Sequence, residues 1–162
     1  MSGFYENIND ALPDIKKVKE IKKELISKGV KYIYSNWIDF LGTPKTKPMP
    51  ISDFENLCMG KGPQFAVHSV SFVPELTPAD NDQVSLPDLD SLVICPWDKT
   101  CAWVFADLFW NGKPYDVCPR MTLKRQIKKS AKADLKFFIG IEPEFFLMKW
   151  DGDKPVKAID LD

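Results

Sequence analysis

Ile15, Val18, Ile21, Leu25 and Ile26 fall on one helical stripe, while Lys16, Lys17, Lys19, Lys22 and Lys23 fill the positions between them. With Pro13 at the start and Gly29 at the stop, the spacing predicts a surface helix over 13–28. Its lysines read as a solvated face opposite a buried stripe, with an anion-binding row as the rival reading. From Val30 the period shortens to near alternation: Val30, Tyr32 and Tyr34, then Trp37 to Leu41, the turn Gly42-Thr43-Pro44, and a second stretch ending at Ile51. That is the pattern of a hairpin. Ser52 and Glu55 match a capping box, and Phe54, Leu57 and Cys58 form a short apolar stripe that stops at Gly60-Lys61-Gly62. A two-turn helix is expected there.

Between Gly62 and Asp90 the apolar residues are too scattered for a regular element except around Ala66–Val73, and a connection this long in a compact domain is often functional. Ser91–Pro96 and Cys101–Trp110 read as strands, and the turn Asn111-Gly112 should lead Lys113–Asp116 to pair back. Pro119 opens a helix with Leu123, Ile127 and Ala131 four apart and Lys124, Arg125, Lys128, Lys129 and Lys132 pointing outward. Leu135–Trp150 is a dense β-type run, followed by the turn Asp151-Gly152-Asp153-Lys154. A strand so apolar needs cover on both faces, so it is expected to be the first strand of a larger sheet and the chain to be a fragment.

Composition narrows the class. The 162 residues are 44% apolar, 12% aromatic and 28% charged, which fits a globular domain and excludes disorder and fibres. Lys and Arg total 22 against 23 Asp and Glu, a net charge of -1, so no sequence-wide field draws the chain to nucleic acid or to anionic lipid. No apolar run approaches the roughly 20 residues of a membrane span, and the polar N-terminus lacks a signal-peptide core, so a cytoplasmic protein is expected. Cys58, Cys95, Cys101 and Cys118 form no C-x-x-C pair and there is a single His68. They read as reduced thiols, with a zinc site and a Cys95–Cys101 disulfide both disfavoured.

The chemistry concentrates at Glu142-Pro143-Glu144, set between Phe137-Phe138-Ile139-Gly140-Ile141 and Phe145-Phe146-Leu147. On a strand, side chains at i and i+2 leave one face roughly 6–7 Å apart. That separation suits two oxygen ligands to one or two hard cations such as Mg²⁺ or Mn²⁺, whose octahedral shells need further ligands from elsewhere. Without a cation the like charges would push one acid towards protonation. Pro143 removes a backbone donor, as at a bulge or strand end. The plainer reading is a pair of solvent-facing glutamates.

Gly140-Ile141-Glu142-Pro143-Glu144-Phe145-Phe146-Leu147, preceded by Cys118-Pro119-Arg120 and a Lys-rich helix, resembles the segment that opens the catalytic domain of glutamine synthetase. Upstream, Trp37-Ile38-Asp39-Phe40-Leu41-Gly42, the turn Gly60-Lys61-Gly62, Leu86-Pro87-Asp88-Leu89-Asp90 and the strand at 101–110 follow the order of that family's N-terminal β-grasp domain, so the resemblance covers about 28–150. It implies an α+β chain: a helix over 1–28, a β-grasp domain over 29–116, and the first helix and strand of an incomplete catalytic domain over 117–162. It also implies that Glu142 and Glu144 bind the paired Mg²⁺ or Mn²⁺ ions of a ligase of glutamine biosynthesis and nitrogen metabolism. Such a ligase transfers a phosphoryl group from ATP to the γ-carboxylate of glutamate before ammonia or an amine attacks.

The resemblance further implies a homo-oligomer with active sites between subunits. Phe65-Ala66-Val67-His68-Ser69 stands where the family has the D-G-S-S loop that covers a neighbour's site, and only the last serine matches. Ala66 replaces the ammonium-binding Asp, as in branches that join alkylamines, anilines or polyamines to glutamate. His68 reads either as a polar group or base at the amine pocket or as a surface residue. Ser69 reads as a pocket or turn residue, and Phe72 as an aromatic wall or core residue. The remaining catalytic groups of the family fall beyond position 162, so these residues alone are expected to be inactive. Two other classes stay open: a non-catalytic regulatory or assembly relative, and a stand-alone β-grasp interaction module.

Overall fold

The computed structural model describes residues 5–67 and 76–159. Helix α1 (Ile15–Ser27) begins where the Asp14 side chain accepts from Lys16 N, and it ends at Gly29, whose φ of +86° carries the chain out through a left-handed turn. Of the predicted stripe, Val18 and Leu25 are buried and Ile21 packs beside them, while Ile15 and Ile26 are exposed.

The hairpin forms as expected, with β1 (Tyr32–Ile38) and β2 (Pro44–Pro50) in the register Tyr32↔Pro50 to Ile38↔Pro44. Its buried parity differs from the one the tyrosines suggest: Ile33, Ser35 and Trp37 face inward. The helices cover that side, where Ile33 joins Val18, Leu25, Phe54 and Leu57. Pro44, Pro48 and Pro50 share one parity on the outermost strand, where a missing N–H removes nothing from the ladder to β1.

Helix α2 (Phe54–Cys58) follows a 3₁₀ turn at Ile51–Asp53, and the expected capping box is absent. Lys22 explains why. Its Nζ reaches across from α1 to donate to Ser52 O at 2.7 Å and Glu55 Oε1 at 3.1 Å, so this lysine is a tether and not part of a solvated face.

The stretch read as irregular contains β3 (Gln64–Phe65) and β4 (Gln83–Pro87). Next come a short β5 (Val93–Ile94), the ten-residue β6 (Cys101–Trp110) and β7 (Lys113–Pro114). Asn111 and Gly112 both take positive φ in the last turn, the geometry that the Asn-Gly pair favours. Strand β6 is the axis of a curled seven-stranded sheet ordered β2-β1-β6-β4-β3, with β5 and β7 also on β6. β1 runs parallel beside Cys101–Phe105, and β4 runs antiparallel beside Ala106–Trp110. Where β4 gives way to β5, Asp88 N donates to Phe105 O at 2.7 Å and Phe105 N donates to Ser91 Oγ at 2.9 Å, bridging the break.

Two cores result. One joins α1 and α2 to Ala102 and Val104, and the other gathers Trp37, Phe65, Val67, Leu108, Tyr115, Cys118 and Met121. The four cysteines are free and buried, and among the described residues no helix is long and apolar enough to cross a membrane.

Helix α3 (Pro119–Lys132) starts at its proline as predicted, but Leu123 and Ile127 are exposed. The expected strand over 135–150 is corrected: residues 135–147 form no regular element. Pairing begins only with β8 (Met148–Asp151) and β9 (Lys154–Lys157), a separate hairpin around the predicted turn. A strand is defined by its neighbour, and no described strand lies beside 135–147.

Candidate functional site

Glu142 and Glu144 sit in this irregular segment, and both are exposed. They are therefore not held on one face of a strand, and the spacing of roughly 6–7 Å expected there is not imposed on them. Neither has a hydrogen bond or an ion pair within the described residues. Their neighbours are apolar and equally uncovered, with Phe138 94% and Phe146 91% exposed. Two uncommitted carboxylates are hard oxygen donors of the kind that Mg²⁺ and Mn²⁺ prefer, so the residue types fit such an ion. No group of three His, Cys, Asp or Glu side chains converges among the described residues, so the other ligands would have to come from elsewhere.

Helix α3, which leads into this segment, is fastened to the sheet by charges. Asp107 is the one acid in the apolar run of β6, and it is buried. Arg120 Nε donates to Asp107 Oδ1 at 2.9 Å and Lys124 Nζ to Asp107 Oδ2 at 2.5 Å. Asp88, just past β4, accepts from Arg120 Nη2 and from Lys124 Nζ, the latter at 3.2 Å. All four acid–base pairings are thus made. Burial pulls the Asp88 pKa upward, but Lys124 and Arg120 outweigh it and hold this carboxyl below its ordinary value. The Arg120 guanidinium also lies 5.7 Å from the centre of the Phe105 ring. The outward direction expected of Lys124 is corrected: it turns inward because the buried Asp107 and the half-buried Asp88 require cations. The signal was present in the sequence as a lone Asp inside Cys101–Trp110.

The loop with Ala66 is anchored by its neighbours. Phe65 stacks on Trp37 with centroids 4.2 Å apart and planes 1° from parallel, and Lys47 Nζ donates to Gln64 O at 2.6 Å. Ala66 is half-buried between buried Phe65 and Val67. His68, Ser69 and Phe72 lie outside the described residues. A concavity of about 640 Å³ beside Leu76, Trp110, Lys113 and Asp116 includes neither glutamate nor Ala66.

Residues 116–160 match the family described as glutamine synthetase, catalytic domain. A glutamine synthetase of Rhizobium meliloti (strain 1021) is 37% identical over 127 residues, covering 78% of this chain and 28% of the relative. A glutamate–methylamine ligase of Methyloversatilis universalis is 30% identical over 132 residues, covering 80% of this chain and 29% of the relative. Among solved structures, one described as apo GmaS without ligand superposes with a TM-score of 0.65 at 27% identity, over 70% of this chain and 26% of that one. The chain thus spans under a third of the length of each of these relatives.

Proposed function

Because this chain belongs to the glutamine synthetase family, we propose that it forms the amino-terminal part of an ATP-dependent ligase joining ammonia or a primary amine to the γ-carboxylate of glutamate. In this reading a helix over 1–28 and a β-grasp domain over 29–116 precede the start of the catalytic domain from 117. The observation that carries the reading is a contrast in burial. Residues up to Met121 build two cores of their own, whereas Leu123, Ile127, Phe137, Phe138, Ile141 and Phe146, inside the catalytic-domain match, are exposed. Apolar side chains presented in such number suit a surface that more polypeptide covers.

Glu142 and Glu144 are the residues that would hold Mg²⁺ or Mn²⁺. When bound, such an ion neutralises charge on the transferring phosphoryl group and helps orient the reacting carboxylate. The chain's own contribution is a pair of oxygen donors free of competing basic partners. The γ-carboxylate of glutamate takes the phosphoryl group with release of ADP, and the amine nitrogen then displaces phosphate to leave the γ-glutamyl amide. We assign Ala66 to the amine pocket of a neighbouring subunit in a homo-oligomer, where it would offer a methyl group and not a carboxylate to the amine. The similarity to a glutamate–methylamine ligase supports that branch.

The test is an assay of the full-length protein with ATP, glutamate, Mg²⁺ and either ammonia or methylamine, following ADP release and the mass of the γ-glutamyl product. Amine-dependent formation of both is expected; no product with any amine would overturn the reading. Residues 1–162 alone are expected to be inactive.

A further inference from the structure

At the far end of β1, Trp37 Nε1, Asp39 Oδ2 and Tyr115 Oη are buried without a hydrogen-bond partner among the described residues. The same three residues line one cavity of about 10 Å³, walled also by Ile38, Leu108 and Cys118. None of the three side chains is free to turn away. Trp37 is held by its stack on Phe65, and Tyr115 packs edge-on against Trp110 at 6.1 Å. Asp39 is fixed by its other oxygen, which accepts from Leu41 N at 3.0 Å and Thr43 N at 2.8 Å. The Lys45 ammonium stands 3.6 Å from Asp39 Oδ2, an ion pair too long for a hydrogen bond.

We propose that this cavity is a hydration site holding one water molecule, which accepts from the Trp37 indole N–H, donates to Asp39 Oδ2 and bonds the Tyr115 hydroxyl. The chemistry selects the occupant. A buried water needs roughly 10–15 Å³ and two to four polar partners, and this site offers both. An ammonium or potassium ion cannot accept the indole proton, and an anion would meet the Asp39 carboxylate, whereas water donates and accepts at once. The bridge would join the β1–β2 turn to Tyr115, three residues before the Cys118-Pro119 entry into α3. It would thereby help to set where Arg120 and Lys124 meet the sheet, independently of what the enzyme ligates.

A high-resolution crystal structure of the full-length protein, with a second crystal soaked in rubidium chloride, tests this. Expected is a single peak within about 2.7–3.2 Å of all three atoms, without anomalous signal after the soak. An empty cavity, direct bonds among the three side chains, or a rubidium peak would each overturn the proposal. Unfolding equilibria of Tyr115→Phe, Asp39→Asn and the double variant give a second reading. A shared water makes the two substitutions couple by about threefold or more in the unfolding constant, and strict additivity would overturn it.

Discussion

Lys124 Nζ stands 2.5 Å from Asp107 Oδ2 and 3.2 Å from Asp88 Oδ2, so one helix side chain closes a ring whose acids belong to two different stretches of the sheet. Asp107 comes from β6 and Asp88 from the exit of β4, while Arg120, one turn earlier on α3, contacts both. The ring is the principal polar link between the sheet and the helix that leads to Glu142.

Lys124→Met keeps the aliphatic stem and removes the charge, leaving both carboxylates to Arg120. Breaking a mostly buried ion pair from one side costs about 3 kcal/mol. Urea denaturation should show a loss of that order, partly restored in Lys124→Met/Asp107→Asn. A change within experimental error would show the ring to be energetically idle.

Asp88 has its pKa lowered in the folded state relative to an ordinary 3.8. A carboxyl of that kind contributes stability that is complete above the unfolded value and is lost as pH falls towards the folded one. Acid titration of stability should therefore steepen below about pH 4, and Asp88→Asn should flatten that limb while lowering stability at neutral pH. Circular dichroism across a pH series reads both effects.

Glu142→Ala and Glu144→Ala in the full-length protein should each abolish turnover by removing a metal ligand, while circular dichroism shows the fold retained. Near-normal activity at saturating Mg²⁺ would remove them from the metal site.

Under the proposed function, Ala66→Asp introduces a carboxylate where the amine would bind. A buried methylene favours binding by about 0.8 kcal/mol, a few-fold per carbon, so the parent enzyme should prefer a small alkylamine over ammonia and the variant should shift towards ammonia. Comparison of kcat/KM for ammonia, methylamine, isopropylamine, aniline and putrescine decides this. Ammonia as best substrate of the parent, with no gain in the variant, would displace Ala66 from that role.

Cys58 is pushed up to about 12, chiefly by burial and secondarily by the charge of Glu55. Its thiol should resist alkylation at mildly alkaline pH in the folded protein and react on unfolding. Peptide mapping after iodoacetamide treatment, with and without urea, checks this.

Elements with local signals were legible in the sequence. Pro119 fixes the first turn of α3, and Asn111-Gly112 reverses β6 into β7, because the backbone preference of those residues dictates the geometry. What escaped depends on distant partners. β4 has the short sequence Gln-Val-Ser-Leu-Pro and is a strand because β6 lies beside it. Ser52 fails as a cap because the chain turns through it in a 3₁₀ turn, and Glu55, its expected partner, is taken by a lysine thirty-three residues away. Residues 135–147 carry strand-like composition without a strand among the described residues to pair with. For the candidate site, the two glutamates could be singled out by residue type, and Ala66 only through the resemblance to the family's loop. The inward turn of Lys124 needed the sheet to bring Asp88 beside Asp107.

The three prolines of β2 bear on how copies of the chain can associate. An exposed edge strand normally offers a row of N–H and C=O groups onto which another chain can add as a further strand. On β2 the outward positions at Pro44, Pro48 and Pro50 have no proton to donate, so that row is interrupted along its length. Growth of the sheet by annealing at this border is blocked. A second chain meeting this border would make its contacts through side chains, the kind of contact that sequence divergence can retune.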